Sequence, residues 1–63
     1  MKRGHIKSYG AGQGVITPDD GSADVFFLGT VVKGPSVPTA GAAVKYALYP
    51  GGGEPEARKV VLV

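Results

Sequence analysis

The chain has 63 residues, a net charge of +2 and no cysteine. These values limit it to one small domain over residues 1–63 and exclude disulfides and thiolate metal sites. No apolar run approaches the roughly 20 residues that cross a bilayer, and Met1-Lys2-Arg3 is not followed by an apolar signal core. We therefore expect a cytoplasmic protein without a membrane partner. The single His5 cannot form a metal site alone, and the mildly basic charge permits a phosphate-bearing partner without requiring one.

Five strand-like segments follow in chain order, separated by turn-forming residues. They span Lys2 to Tyr9, Gly12 to Thr17, Ala23 to Leu28, Ala42 to Tyr49 and Glu56 to Val63. The second and third flank Pro18-Asp19-Asp20-Gly21, whose residue types favour a tight turn, so these two strands are predicted to form a β-hairpin. The fourth alternates large apolar residues with small or charged ones, which predicts that Tyr46 lies in the core. No segment has helical spacing with start and stop signals.

Two longer connections separate the last strands. Gly29 to Gly41 contains Pro35 and Pro38, and Pro50 to Pro55 contains three consecutive glycines. Proline lacks a backbone donor and biases the residue before it toward extended conformations, so both segments are predicted to be loops. Five strands joined by short turns and one long crossover suit a small closed barrel, which leaves no sheet edge exposed.

Several strings resemble motifs of the cold-shock domain family in the family's order, and the chain as a whole resembles that domain. They are Gly4-His5-Ile6-Lys7-Ser8-Tyr9, Gly12-Gln13-Gly14-Val15-Ile16, Ile16-Thr17-Pro18-Asp19-Asp20-Gly21-Ser22, Asp24-Val25-Phe26-Phe27-Leu28-Gly29 and Ala40-Gly41-Ala42-Ala43-Val44-Lys45-Tyr46. The resemblance implies an all-β fold, a small five-stranded antiparallel OB-fold barrel. It also implies a partner, single-stranded RNA or DNA, and a function that needs no cofactor.

The chain departs from the family pattern mainly on the binding face. Ser8 stands where the family has tryptophan, Gln13 and Val15 replace the two phenylalanines of the first RNA-binding motif, and Leu28 replaces a histidine. Gly29 and the region of Pro35 replace two further phenylalanines. The family's lysine, second aromatic residue and first phenylalanine of the second motif persist as Lys7, Tyr9 and Phe26.

The family register predicts that Val25 and Phe27 point into the barrel while Phe26 and Leu28 point outward. The nucleic-acid site implied by the resemblance consists of Lys7, Tyr9, Gln13, Val15, Phe26, Leu28 and Arg58. In this site Tyr9 and Phe26 stack on bases and Lys7 holds a phosphate. Stacking contributes about 1–3 kcal/mol per base, so two rings predict weak, sequence-tolerant binding.

Each candidate also has a simpler structural interpretation. Tyr9 can equally cap a barrel mouth with its hydroxyl in water, and Lys7 can equally be a solvated strand lysine. The aspartates Asp19, Asp20 and Asp24 fit turn chemistry and lack the spacing of a calcium loop. Enzymatic activity is not expected, because His5 and Ser8 have no oxyanion loop or deep pocket beside them.

A second function remains open at this point. If the barrel persists without its nucleic-acid face, then Gln13, Val15, Leu28 and Gly29 form a flatter, more aliphatic surface. Such a surface suits a protein partner or self-association. The chain is then either a monomer or a homodimer that exchanges strands across the Gly29 to Gly41 crossover.

Overall fold

Six strands form one sheet that curls into a nearly closed barrel in the computed structural model, which describes residues 1–34, 36–51 and 53–63. The strands are β1 (Lys2–Gly10), β2 (Gln13–Pro18), β3 (Val25–Leu28), β4 (Val32–Lys33), β5 (Ala43–Leu48) and β6 (Ala57–Leu62). Their order in the sheet is β3-β2-β1-β5-β6-β4. The all-β, OB-like barrel predicted from the sequence is confirmed, with six strands instead of five. Pro35 and Gly52, both in predicted loops, lie outside the described residues.

The first two strands are joined by a two-residue turn, Ala11 and Gly12. Both residues have positive φ, 53° and 79° respectively, and the flanking residues Gly10 and Gln13 are paired across the strands. Positive φ at both central positions defines the type I′ turn that matches the twist of a β-hairpin. The turn brings the end of β1 beside the start of β2.

The acidic turn between β2 and β3 lies where the sequence predicts it. The Gly21 amide donates to the Pro18 carbonyl at 3.4 Å, and Gly21 has a positive φ of 81°. The Ser22 amide donates to the Asp20 carboxylate at 2.9 Å. This is the hydrogen bond to the backbone two residues on that is expected of an aspartate in a turn. The second and third strands pair antiparallel, as predicted.

Eight side chains contributed by five of the strands form the core. They are Ile6, Ile16, Val25, Phe27, Val44, Tyr46, Ala57 and Val60. Strict alternation on β5 buries Val44 and Tyr46 and leaves Lys45 facing outward, so the prediction for Tyr46 is confirmed. Alternation on β3 buries Val25 and Phe27 and turns Phe26 and Leu28 outward, again as predicted.

One short strand, β4, lies within the connection that the sequence predicts to be a loop, and it extends the sheet beyond β6. After a 3-10 turn at Gly29–Val31, β4 pairs in parallel with the last strand, with Val32 opposite Val60. On the other side of the sheet, β3 meets the start of β6 where the Phe26 amide donates to the Pro55 carbonyl at 3.0 Å. In the described part of the chain, no helix is long and apolar enough to cross a membrane.

Candidate nucleic-acid interface

An open groove of about 370 Å³ crosses the outer surface of β1, β2 and β3. Its lining residues are Ser8, Tyr9, Gly10, Gln13, Gly14, Val15 and Phe26. The strand register explains why these residues meet, because Val15 lies opposite both Ser8 on β1 and Phe26 on β3. We call this feature the β1–β3 groove.

A second outward row borders the groove toward the Ala11–Gly12 turn. Gln13 lies opposite Gly10 on one side and Leu28 on the other. Leu28 is 43% exposed, so its side chain presents aliphatic surface to solvent beside the amide of Gln13. The two rows therefore bring Gln13, Val15, Phe26 and Leu28 together, four of the seven residues predicted from the sequence.

A bulge in β1 decides which of its side chains reach the groove. Ile6 pairs with Ile16 but Ser8 pairs with Val15, so β1 contains one more residue than its partner at Lys7. Because side chains alternate between the two sides of a sheet, one extra residue makes every later side chain in the strand point to the opposite side. Ser8 consequently points outward, at the position where the resembled family has tryptophan.

The same bulge turns Tyr9 toward the barrel interior. Its ring stacks on the fully buried Phe27, with centroids 5.8 Å apart and planes 14° from parallel. Gly14 lies opposite both aromatic residues in the register, and a Cβ on Gly14 would lie 2.6 Å from Phe27 Cζ. The Tyr9 hydroxyl lies against Gly29, where a Cβ would collide with it. Tyr9 is half-buried, so it closes the barrel mouth and one face of its ring is already covered.

Tyr9 and Phe26, which the sequence predicts on the same outer face of the barrel, therefore point to different sides of the sheet. Phe26 is half-buried on the outward face of β3, whereas Tyr9 belongs to the inward row with Phe27. The groove therefore contains one outward ring, that of Phe26, and is also lined by Tyr9, whose ring has one face covered by Phe27. The alternative given for Tyr9 above, a ring that caps the barrel mouth, describes its position better.

Lys7 lies at the bulge but its ammonium group has a protein partner. The Nζ donates to the Asp24 carboxylate at 2.8 Å. This hydrogen bond, and then the negative charge of Asp24, raise the pKa of Lys7 above its ordinary value. Lys7 is therefore cationic at neutral pH, and a phosphate at this position must compete with Asp24.

Two further pairs connect β1 with the acidic turn. His5 Nδ1 lies 2.8 Å from the Asp19 carboxylate, and Lys2 Nζ lies 3.8 Å from that of Asp20. Hydrogen bonds from Ser22 lower the pKa of Asp20, so this carboxylate is ionised at neutral pH. Asp19 and Asp20 therefore contact side chains of β1 as well as belonging to the turn. The residue types of the turn alone do not predict these long-range contacts.

Arg58 does not line the groove, although it follows by two residues Glu56, which pairs with Phe26 in a parallel bridge. It is exposed on β6, at the irregular step where the pairing of that strand with β5 shifts between Ala47 and Leu48. Among residues 1–34, 36–51 and 53–63, no cluster of three metal-ligating side chains occurs. The sequence matches no protein-family model, and a search of curated proteins finds no matching relative.

Proposed function

We propose that this protein binds single-stranded RNA or DNA weakly and with little sequence preference, at the β1–β3 groove. The observation that carries the proposal is Phe26, whose half-exposed ring lines a groove beside the Gln13 amide and the apolar Val15. Aromatic rings on an exposed strand face are the usual stacking platform for unpaired bases. The motif resemblance supports the same ligand and a cytoplasmic role in modulating RNA structure, transcription or translation.

The composition of the groove favours low affinity. One outward ring supplies about 1–3 kcal/mol of stacking, compared with about 8 kcal/mol for a micromolar complex. Gln13 can donate to or accept from a base edge, and its flexible amide tolerates different bases. Lys7 adds a phosphate contact only when it leaves Asp24, which reduces the net gain.

The test is a titration of a labelled thymidine oligonucleotide of about ten nucleotides, followed by fluorescence anisotropy at low and moderate salt. The test variant is Phe26→Leu, which keeps apolar bulk on β3 but removes the π face. The control is Tyr49→Leu, since Tyr49 is 53% exposed and does not line the groove. We expect Phe26→Leu to weaken binding by about 5- to 150-fold and Tyr49→Leu to leave it unchanged.

Two results would reject the proposal. One is the absence of saturable binding by the parent protein at low salt and high concentration. The other is equal binding by the parent protein and Phe26→Leu while circular dichroism shows both folded. Equal losses in Phe26→Leu and Tyr49→Leu would also contradict a site at the groove.

One observation favours a second candidate function, an interaction module without nucleic acid. Leu28 and Val15 present aliphatic surface while Lys7 is neutralised by Asp24, and apolar patches of this kind suit a protein partner or a second copy of the chain. Sedimentation velocity of the parent protein and of Leu28→Ser distinguishes this function. A concentration-dependent dimer that Leu28→Ser disrupts, in a protein that does not bind oligonucleotides, would favour it.

A further inference from the structure

Four residues form a straight outward row across the wall of the barrel beyond β1. Arg3 lies opposite Lys45, Lys45 opposite Val61, and Val61 opposite Lys33, so the row crosses β1, β5, β6 and β4. We call it the cationic row. Adjacent strands are about 4.8 Å apart, so its two ends are about 14 Å from each other.

Burial of the neighbouring residues fixes the direction in which the row points. Gly4, Val44, Tyr46 and Val60 flank its members along their strands, and all four are buried. Alternation along a strand then places the row on the outer surface. Lys59, opposite Ala47 on the next outward row, adds a further cation beside it.

Arg3 is the member of the cationic row nearest the acidic turn, because the Asp19 amide donates to the Arg3 carbonyl at 3.0 Å. The ion pairs of the described residues all join β1 to the acidic turn or to Asp24, and none includes Arg3, Lys33 or Lys45. Glu56 precedes β6 and lies five residues from Val61, about 16 Å along an extended strand. Anions from solution are therefore the available partners of Lys33 and Lys45, while Arg3 lies beside Asp19 without forming an ion pair with it among the described residues.

The pairing of Arg3 with Lys45 also works against the folded state. Like charges directly opposite each other on adjacent strands repel and destabilise the sheet. Folding gains no compensating carboxylate contact here among the described side chains. A bound anion between the two cations would relieve this repulsion, so binding and stability are coupled at this position.

We propose that the cationic row binds the phosphodiester backbone of nucleic acid without reading its sequence. This inference rests on the proposed function for its class of ligand, but it uses a different wall of the barrel. Three cations along one wall can each neutralise a phosphate of the chain, and contacts to phosphate position a ligand without specifying bases.

The side chains around the cationic row favour this ligand over other anionic surfaces. Val61 and Ala47 are the aliphatic members of the wall, and both are half-buried. A protein interface relies on a core of aromatic or large apolar residues, and a membrane-binding face inserts tryptophan, phenylalanine or leucine. Small aliphatic side chains between lysines offer neither, whereas phosphate contacts require neither.

The experiment measures the salt dependence of binding for variants matched in charge. The test variant is Lys45→Gln, and the control is Lys2→Gln, which loses the same charge on a strand end that already pairs with Asp20. Each is titrated with a labelled single strand and with a labelled duplex of the same length. Phe26→Leu is measured in parallel to report on the β1–β3 groove.

We expect Lys45→Gln to make the slope of log K against log salt shallower by about 0.7 on the single strand and about 0.9 on the duplex. Lys2→Gln is expected to retain the parent slope. The loss of one of two opposed cations leaves the thermal midpoint of Lys45→Gln unchanged or slightly raised. A response confined to one of the two oligonucleotides supports the proposal and identifies the form of nucleic acid bound.

The remaining outcomes separate this inference from the proposed function. Equal changes in Lys45→Gln and Lys2→Gln would mean that net charge alone matters, and would overturn the cationic row. An unchanged slope in Lys45→Gln, with weaker binding in Phe26→Leu, would overturn the row and leave the groove standing. Weaker binding in Lys45→Gln with parent affinity in Phe26→Leu would support the row and reject the groove.

Discussion

Substitution of Gly14 by alanine tests whether Gly14 packs between the stacked rings of Tyr9 and Phe27 and the backbone of β1 as described. An alanine Cβ would lie 2.6 Å from Phe27 Cζ and 2.6 Å from the Ser8 carbonyl oxygen. The ring of Phe27 is fully buried and stacked on Tyr9, and the carbonyl belongs to the backbone of β1, so neither moves away freely. Overpacking of this kind costs about 1–3 kcal/mol.

The matched control is Gly10→Ala, at the neighbouring pair of the same two strands, next to the Ala11–Gly12 turn. No described atom lies within 4 Å of the Cβ position at Gly10, and its φ is not positive. An alanine there is expected to be neutral or to stabilise by about 0.4–1 kcal/mol through the unfolded state. The effects of the same chemical change at Gly14 and at Gly10 should therefore differ by about 1–4 kcal/mol in the free energy of unfolding.

Urea denaturation followed by circular dichroism measures this difference directly. In a domain of this size about 1 kcal/mol corresponds to about 4–8 °C in the thermal midpoint, so Gly14→Ala is expected to melt at least about 4 °C below Gly10→Ala. Equal midpoints for the two variants would refute the packing described for Tyr9, Gly14 and Phe27.

Two further predictions follow from backbone conformation and from burial. Ala11 has a left-handed φ of 53°, which costs an alanine about 1–2 kcal/mol, so Ala11→Asn should raise the urea midpoint by the equivalent of about 1 kcal/mol; an unchanged or lower midpoint would contradict the type I′ turn. Burial, and then the charges of Asp20 and Asp19, raise the pKa of Tyr46. The resulting stability is present below the ordinary tyrosine pKa of about 10 and is lost as the pH rises through the higher folded value. Lys7, whose pKa is also raised, titrates in the same alkaline window, so the comparison uses Tyr46→Phe, which should lose less stability than the parent protein above about pH 10. Parallel losses in the two proteins would count against a buried Tyr46.

Much of the fold follows from local sequence patterns. The turn residues around Pro18 predict the β2–β3 hairpin, and the alternation on β5 predicts the burial of Tyr46, because that pattern has one arrangement that hides its apolar face. All four residues of β3 are apolar, so the burial of Phe27 is predicted only by the family resemblance. The strand at Val32–Lys33 was missed although Val31 and Val32 are β-branched. Pro35 and Pro38 follow this strand in the sequence, and they favoured a loop prediction for the whole connection from Gly29 to Gly41.

The position of Tyr9 depends on a feature that the sequence does not mark. Strict alternation from the buried Ile6 places Ser8 inward and Tyr9 outward, and the bulge at Lys7 reverses both. A bulge is set by pairing with the neighbouring strand, so a reading of one strand alone cannot locate it. The contact between Lys7 and Asp24 joins residues 17 positions apart, and it was missed because it depends on the packing of β1 against the hairpin.

Phe26 contributes both to closure of the barrel, where β3 meets the start of β6, and to the β1–β3 groove. Its backbone amide makes the bond to Pro55 that ties β3 to the start of β6, and its ring faces the groove on the outside. A base stacked on the Phe26 ring would contact the residue whose backbone amide joins β3 to the start of β6. Opening of the barrel that breaks this bond would also displace the Phe26 ring, so the proposed binding at the groove requires that β3 and β6 stay joined.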